Sequence, residues 1–307
     1  MIEPKWKLKD VDEKSVLSIA DTFNLPQTIA RVMSVRGIVS RENSRTFFYP
    51  DIDQLHDPFL MLDMDKAVDR ILSAISEKKT ILIFGDYDVD GTTSAAFLTL
   101  FFRSINAEVH YYIPSREKEG YGVSKQGIDY AKLIGADILI TCDCGINDFD
   151  KVAYARENEL DIIITDHHKP GKILPDAHAI VNPNRKDCPY PFKGLCGAGV
   201  VFKLALGICK KGGFNTEYVW TNSDVVTLGI VGDLVPIQDE NRIIVYHGIR
   251  QMKKGTNQGI TALLKTGGLF EKQITVGRLV FWIAPKINAA GRLGDASRAV
   301  KLLTTQN

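Results

Sequence analysis

The 307-residue sequence has no apolar run close to the roughly 18–20 residues that a membrane-spanning helix needs. Its N-terminus, MIEPKWKLKD, lacks the apolar segment of a secretory signal. The five cysteines are an odd number in a long chain, and their spacing fits no zinc ribbon. We therefore expect a cytoplasmic protein with reduced thiols and no membrane contact.

The C-terminal segment has few acidic residues. Residues 241–307 carry 11 Lys and Arg against only Glu271 and Asp295, a net charge of +9. Since the whole chain has 38 basic and 37 acidic side chains, residues 1–240 have 27 and 35, a net charge of −8. This asymmetry suits metal ions on an acidic body and a polyanion on a basic segment. A basic helical surface without any ligand would give the same pattern.

Helical and strand-like patterns alternate along most of the chain. Residues 1–55 have the pattern of a mostly helical extension. From about residue 65, apolar strands such as 80–84, 137–141 and 161–165 are separated by helical stretches. This alternation predicts an α/β fold with a parallel sheet and helices on both faces. The run TVGRLVFWIAPKI at 275–287 predicts a helical segment that Pro285 interrupts.

Carboxylates and imidazoles follow three of the predicted strands. In an open α/β sheet, ligands bind outside the carboxyl ends of the strands. Clustered carboxylates repel one another unless cations neutralise them, and Mg²⁺ or Mn²⁺ prefers their oxygens, while added imidazole favours Mn²⁺. The sequence therefore predicts a divalent metal site from these residues: Asp86, Asp88 and Asp90 after the first strand, Asp143 after the second, and Asp166, His167 and His168 after the third.

These residues also have structural interpretations, and for His167 and His168 it is that of two partly buried histidines satisfied by local hydrogen bonds. Asp86, Asp88 and Asp90 share one face while the chain stays extended, but they also fit a solvated acidic turn. Asp143 taken alone fits a helix N-cap, and the flanking Cys142 and Cys144 are expected to be packing thiols.

The two adjacent histidines are expected to have different tasks. His167 and His168 point to opposite sides if the chain is extended, so one would bind metal and the other would orient or protonate a phosphate oxygen. Asp166 is then a support that fixes a tautomer. Asp233 is a carboxylate in an apolar stretch, where its burial is costly unless it is paired or coordinated. Together these groups supply ligands for two metal ions of the kind used in phosphoryl transfer.

Four segments resemble motifs I to IV of the DHH phosphoesterase superfamily. They are GDYDVDGTTS, TCDCGIND, TDHHKP and GIVGDLVP, in that order. The flanking segments IPSREKEGYGVS, NPNRKDCPYPFKGLCGAGVVFKLA and APKINAAGRLGDAS resemble those of its bacterial exonucleases specific for single-stranded DNA. The resemblance runs from about residue 10 to the end of the chain.

This resemblance implies roles for particular residues. Asp88, Asp90, Asp143, His167 and Asp233 match the ligands of two Mn²⁺ or Mg²⁺ ions, with Asp86 as a further acid. His168 would act at the scissile phosphate with Asp166 in support. Arg116 matches an arginine near the pocket for the 5′-phosphate. Asn288 and Arg292 match a motif whose arginine contacts substrate phosphate, and guanidinium groups suit that contact.

The implied function is metal-dependent 5′→3′ hydrolysis of single-stranded DNA to 5′-mononucleotides in DNA repair and recombination. The implied partners are single-stranded DNA, a single-strand-binding protein and a RecQ-type helicase. The implied domains are a helical extension at 1–55, a DHH catalytic domain at 56–240, and a basic connecting helix with an incomplete DHHA1-like domain at 241–307.

Two features depart from the family pattern. Lys286 stands where an arginine is expected, which puts a bidentate contact there in doubt. The rest of the DHHA1 domain and the OB-fold that follow in the family are missing, so we expect a chain cut short of the full architecture.

Three other functions fit parts of the sequence. A DHH-family phosphodiesterase could act on small or cyclic nucleotides or short oligonucleotides. Asp88-Val89-Asp90-Gly91-Thr92 fits the signature of a haloacid-dehalogenase phosphatase, but that chemistry does not use His167 and His168. A non-catalytic DHH scaffold is disfavoured because all the ligand positions are filled.

Overall fold

A computed structural model of the chain describes residues 7–292 and 294–306. The chain divides into two compact units, one up to residue 55 and one from residue 56 onward. Among the described residues, no helix is long and apolar enough to cross a membrane. All five cysteines are buried free thiols, and Cys144 packs in the core beneath the sheet.

The first unit is helical. It contains α1 (Glu13–Phe23), α2 (Gln27–Val35) and α3 (Arg41–Phe48), followed by a 3₁₀ turn. Asp12 caps α1, since its carboxylate accepts hydrogen bonds from the Lys14 and Ser15 backbone N–H groups. A small core holds the unit together, formed by Val16, Ile19, Ala20, Ala30, Met33 and Ile38.

The second unit contains a five-stranded parallel sheet in the order β2-β1-β3-β4-β5. The strands are β1 (Thr80–Gly85), β2 (Val109–Tyr112), β3 (Ala136–Cys142), β4 (Asp161–Thr165) and β5 (Ala179–Val181). The central strands are almost continuously apolar because helices cover the sheet on both sides. The predicted parallel α/β fold is therefore confirmed.

Twelve helices accompany the sheet within the described part of the second unit. Their bounds are α4 Met64–Ser76, α5 Val89–Ser104, α6 Lys125–Leu133, α7 Phe149–Glu157, α8 Gly197–Gly212, α9 Glu217–Trp220, α10 Ser223–Gly232, α11 Asp239–Lys254, α12 Gln258–Thr266, α13 Val276–Arg278, α14 Ala284–Arg292 and α15 Ser297–Leu303. Helices α4, α5 and α8 pack on one face of the sheet, and α6 and α7 pack on the other. Helix α10 packs against α5, α8 and α11.

The C-terminal basic segment packs on the body of the second unit. Helix α11 lies along α10, and α15 packs against α5 and α12. Residues 241–306 therefore belong to the same compact unit as residues 56–240. Their assignment to a DHHA1-like domain stays a prediction.

Pro285 does not end the helical run in which it lies. Helical backbone continues from Val276 to Arg292, with a π-helical turn at Leu279–Ile283 just before the proline. In that turn the Ala284 N–H reaches back to the Leu279 carbonyl. Because proline lacks an N–H and crowds the preceding turn, a locally widened helix accommodates it.

A fully buried ion pair joins α8 to the start of α11. The Lys203 ammonium lies 2.7 Å from Glu240 Oε1, and both side chains are inaccessible to solvent. Glu240 also accepts hydrogen bonds from the Tyr190 hydroxyl at 2.5 Å and the His56 N–H at 3.1 Å. Lys203 donates to the His56 carbonyl as well. The cost of burying both charges is thus met by hydrogen bonds on each side.

We expect Lys203→Met to lower the free energy of unfolding by about 3–5 kcal/mol, because it leaves the Glu240 carboxylate buried without its cation. Urea unfolding measures this change. Lys210→Met on the same helix is the control, since Lys210 pairs with Asp57 at the surface and should cost less than about 1 kcal/mol. Equal effects of the two substitutions would contradict this interpretation.

Candidate metal centre

The chain connections leave an open crevice at the carboxyl ends of the strands. From β1 the chain passes to β2 on one side, whereas β3 and β4 lie on the other. Crevices of this kind, where the strand order reverses, are the usual ligand sites of open α/β sheets. The residues after β1, β3 and β4 are Asp86, Asp143 and Asp166.

Backbone hydrogen bonds place these three acids side by side. The Asp86 N–H donates to the Cys142 carbonyl at 3.2 Å, and the Asp143 N–H donates to the Thr165 carbonyl at 3.0 Å. The Asp166 N–H continues the pattern with the Val181 carbonyl at 3.2 Å. The parallel ladder thus extends one residue past each strand. All three side chains are buried.

Asp88 and Asp90 lie where the chain turns from β1 into α5. Asp88 caps the helix by accepting a hydrogen bond from the Gly91 N–H at 3.0 Å. Asp90 lies in the first helical turn, so the expectation that Asp86, Asp88 and Asp90 share one extended face is wrong for Asp90. Its carboxylate instead accepts from the N–H groups of Gly197 at 2.6 Å and Ala198 at 2.8 Å, at the start of α8. A helix N-terminus stabilises such a negative charge.

Two glycines allow the helices to approach the acids closely. A Cβ atom on Gly197 would lie 2.6 Å from the Asp143 Cβ. A Cβ atom on Gly229 would lie 2.5 Å from Thr93 Oγ1 and 2.9 Å from Asp90 Oδ1. Helices α8 and α10 can therefore reach the site only because these positions carry no side chain. Asp233, at the C-cap of α10, is brought to the crevice in this way.

His167 lies at the centre of the acidic cluster. Its Nε2 atom is 3.1 Å from Asp143 Oδ1, and 3.8 Å from one oxygen each of Asp90 and Asp233. The expectation that His167 and His168 point to opposite sides is wrong, since their ring centroids are 4.5 Å apart. The chain leaves the extended conformation after Thr165, and Asn184 Nδ2 donates to the His167 carbonyl.

Asp166 supports the histidines rather than facing the crevice. Its Oδ1 atom accepts from the His167 N–H at 2.7 Å and the His168 N–H at 3.0 Å, and lies 2.7 Å from His168 Nδ1. Its other oxygen accepts from the Ile146 N–H. The Tyr121 hydroxyl lies 3.3 Å from His168 Nδ1. Asp166 therefore fixes the imidazole orientation of His168.

The ligand atoms form three overlapping groups, within each of which they lie no more than 4.8 Å apart. The groups are Asp90, His167 and Asp233; Asp86, Asp88 and Asp143; and Asp143, His167 and His168. Asp86 Oδ1 and Asp143 Oδ1 are buried without a hydrogen-bond partner. Such oxygens are costly unless a proton or a cation satisfies them, so this set of donors fits divalent cations.

The pKa values agree with this description. Burial, with repulsion from Asp88, raises the pKa of Asp86 to about 7. Burial, with repulsion from Asp233, raises the pKa of Asp90 to about 7. Asp233 is raised to a pKa of about 6 and Asp143 well above its ordinary value, both chiefly by burial.

The pKa values of the two histidines are shifted in opposite directions. Burial lowers the pKa of His167 to about 4, so this imidazole is neutral at physiological pH and free to bind a metal ion. The hydrogen bond with Asp166 raises the pKa of His168 and favours its protonated form. The two adjacent rings therefore differ in their affinity for a proton because their environments differ.

Two of the predicted substrate residues, Arg116 and Asn288, contact the turn that follows β1. Arg116 is exposed, and its guanidinium lies 5.4 Å from the centre of the Tyr87 ring. Asn288 Oδ1 accepts from the Val89 N–H at 3.2 Å, which brings α14 to the turn that carries Asp88. Arg292 is exposed at the end of α14. Lys286 is exposed too, with its ammonium 3.4 Å from the Thr266 carbonyl.

Several supporting residues are absent from the predicted set. Tyr87, Tyr121 and Cys196 all contact residues of the cluster or its rim, as does Asn184. Tyr121 lies within the EGYG segment, and Cys196 directly precedes the glycine-rich start of α8, so their positions beside motif residues were the available signals. Tyr87 lies between two predicted ligands, where nothing in the residue type points to a role.

We expect Asp86→Asn to stabilise the metal-free protein at pH 8 but not at pH 4. Because the pKa of Asp86 is higher in the folded protein (about 7) than its ordinary value of 3.8, this carboxyl costs stability as the pH rises through that range. The asparagine avoids a cost of roughly 2–4 kcal/mol at pH 8.

Urea unfolding in EDTA at the two pH values measures the difference. Asp150→Asn, at an exposed position of α7, is the control and should show no such pH dependence. An equal increase in the free energy of unfolding of Asp86→Asn at both pH values would contradict the raised pKa assigned to Asp86.

Comparison with known proteins identifies the family. Residues 80–230 match the DHH family, N-terminal domain. The chain is 37% identical over 303 residues to the single-stranded-DNA-specific exonuclease RecJ of Bacillus subtilis, covering 99% of this chain and 38% of that protein. It is 35% identical over 311 residues to RecJ of Escherichia coli, covering 97% of this chain and 52% of that protein.

Solved structures give the same result. A crystal structure of exonuclease RecJ bound to manganese matches with a TM-score of 0.74 and 31% identity, covering 83% of this chain and 63% of that one. RecJ of Thermus thermophilus in complex with Mn²⁺ matches with a TM-score of 0.81 and 27% identity, covering 96% of this chain and 42% of that one. The chain spans about half or less of the curated relatives' length. Residues 80–230 place the chain in the DHH family, and curated relatives that are 33–37% identical to it are RecJ proteins.

Proposed function

We propose that this chain is the catalytic part of a metal-dependent 5′→3′ exonuclease that hydrolyses single-stranded DNA to 5′-mononucleotides in DNA repair and recombination. The observation that carries the proposal is the set of overlapping acid and histidine groups at the crevice, in which two buried carboxylate oxygens have no hydrogen-bond partner. The names of the RecJ relatives support the choice of substrate. A phosphodiesterase specific for small or cyclic nucleotides has no comparable support.

We propose two metal ions, Mn²⁺ or Mg²⁺, held by separate groups of ligands. Asp90, His167 and Asp233 would hold one ion. Asp86, Asp88 and Asp143 would hold the other. When bound, such a pair lowers the pKa of water and neutralises charge on the scissile phosphate. A neutral imidazole among the ligands favours Mn²⁺, and solved RecJ structures contain Mn²⁺ or Mg²⁺.

His168 is proposed to hold a proton near the scissile phosphate. Its Nδ1 faces the Asp166 carboxylate, which accepts but does not donate hydrogen bonds when ionised, so Nδ1 carries a proton. The raised pKa of His168 favours the form in which both ring nitrogens carry a proton. In that form the Nε2–H group can donate to a phosphate oxygen. Asp166 acts through His168 as a positioning residue.

Arg116, Asn288 and Arg292 are proposed to bind substrate phosphates. Arg116 lies over the Tyr87 ring, which orients the guanidinium while leaving its N–H groups available. Asn288 uses Oδ1 to accept from the Val89 N–H, so its Nδ2 remains free to donate. Arg292 is exposed at the end of the same helix and is proposed to offset charge in the transition state.

The proposed partners beyond DNA are a single-strand-binding protein and a RecQ-type helicase. They rest on the family resemblance alone. The proposed cytoplasmic location rests instead on the five free thiols.

We expect Asp143→Asn to reduce Mn²⁺-dependent hydrolysis of 5′-phosphorylated single-stranded DNA by at least about 10³-fold, because it removes a carboxylate shared by two ligand groups. Release of mononucleotides from a 5′-labelled strand measures the rate. Asp150→Asn, at an exposed position of α7, is the control and should retain wild-type activity. Retained activity in Asp143→Asn would contradict the proposal. So would a wild-type protein that cleaves dinucleotides but not long strands.

We expect Arg116→Ala to raise KM for 5′-phosphorylated strands by about 10-fold or more, since a charge-assisted contact to phosphate contributes about 1.5–3 kcal/mol. The KM for strands with a 5′-hydroxyl should change little, and kcat should be nearly unaffected. Lys118→Ala, at another exposed position of the same loop, is the control. An equal effect on both kinds of strand would place Arg116 away from the 5′-phosphate.

A further inference from the structure

The outer edge of β2 is open. Strand β2 is the first strand of the sheet and pairs only with β1 among the described residues. The Ile81 N–H donates to the Glu108 carbonyl at 3.0 Å. Because peptide groups alternate in direction along a strand, those of His110 and Tyr112 also face β1, and those of Val109 and Tyr111 face outward. The outward groups can accept another strand.

A groove with a volume of about 470 Å³ follows this edge. Residues 109–113 form one wall, and α15 contributes Ser297 and Lys301 to the other. Those two residues are four apart and so lie on one face of the helix. Arg103, from the last turn of α5, and Tyr130, from α6, complete the lining together with Asp295. The groove thus lies between a strand edge and a helix.

Two cations without an ion-pair partner line the groove. Arg103 and Lys301 are exposed, and within the described ranges neither has a carboxylate oxygen within 4.0 Å. His110 lies 3.4 Å from Glu108. Asp295 is the acid of the lining, and its Oδ1 accepts from the Ser297 N–H at 3.0 Å and the Ser297 hydroxyl at 2.5 Å. That carboxylate is therefore directed to the start of α15.

The rest of the lining is aromatic and aliphatic. Val109, Tyr111 and Ile113 alternate with His110 and Tyr112, and all are partly exposed. Tyr130 adds a further ring. An extended chain beside β2 would place successive side chains on opposite faces of the sheet, with a period of two. The groove can therefore receive apolar side chains on its aromatic surface and acidic side chains near Arg103 and Lys301.

We propose that the groove binds an extended acidic peptide segment of a partner protein, which adds to the sheet as a strand beside β2. Main-chain hydrogen bonds to Val109 and Tyr111 would supply affinity, and the two cations would select acidic side chains. A nucleic-acid strand would satisfy the cations but would leave the edge without a matching ladder of hydrogen bonds. The combination of edge, helix and cations therefore favours a peptide.

Fluorescence anisotropy with a labelled peptide, Glu-Val-Glu-Ile-Asp-Val-Asp, tests the proposal on the whole chain. We expect saturable binding that weakens at least about tenfold in the double variant R103E/K301E. A peptide with lysine in place of each acid should bind at least about tenfold more weakly to the wild type. So should the acidic peptide with every backbone amide N-methylated, because neither of its edges can then donate to the ladder.

Arg298→Glu, an exposed change on α15 outside the groove lining, is the matched control and should bind the peptide as the wild type does. Mn²⁺-dependent hydrolysis should be unchanged in R103E/K301E, which separates failure of the groove from failure of the catalytic centre. The N-methylated peptide tests the wild-type protein, so the result does not depend on the folding of any variant.

Three results would each overturn the proposal. Equal binding of the acidic, basic and N-methylated peptides would exclude strand addition directed by charge. Displacement of the peptide by oligothymidylate, with weaker oligothymidylate binding in R103E/K301E, would assign the groove to nucleic acid. Self-association of the wild type that R103E/K301E abolishes, measured by sedimentation, would assign the edge to a second copy of the chain.

Discussion

The candidate centre depends on a backbone constraint at the edge of the sheet. The N–H groups of Asp86, Asp143 and Asp166 each bond to the last residue of the neighbouring strand, so their side chains cannot move apart without breaking the ladder. Burial and mutual repulsion then disfavour the charged carboxylates. The surrounding structure compensates some of these charges and leaves others without a partner.

The compensated and uncompensated acids have different environments. The Asp90 carboxylate accepts hydrogen bonds from two N–H groups at the start of α8. The Asp166 carboxylate accepts a hydrogen bond from the His168 backbone N–H and lies within hydrogen-bond distance of His168 Nδ1. Asp86 and Asp143 each keep a buried oxygen without a hydrogen-bond partner. Oxygens that are buried in this way need a proton or a cation, and divalent ions are the natural counter-charge for carboxylates. The proposed phosphoester chemistry follows from that arrangement.

The sequence predicts the strands and the acids that follow them because both leave strong local patterns. Apolar runs that end in Asp mark the carboxyl edge, and GDYDVDG locates the first turn. The tertiary contacts leave weaker signals. The helical position of Asp90 and the common orientation of the two histidine rings depend on how α5 begins and on how β4 ends. Tyr87 and Tyr121 support the site through contacts between segments that are far apart in sequence.

Titration of the metal-free protein with Mn²⁺ by calorimetry tests the two ligand groups most directly. Because two separate ligand groups are present, we expect about two equivalents of Mn²⁺ to bind per chain. Asp233→Asn should weaken one of them and Asp88→Asn the other, because each aspartate belongs to only one group. Absence of binding to the wild type, or loss of the same single equivalent in both variants, would contradict a dinuclear centre at this crevice.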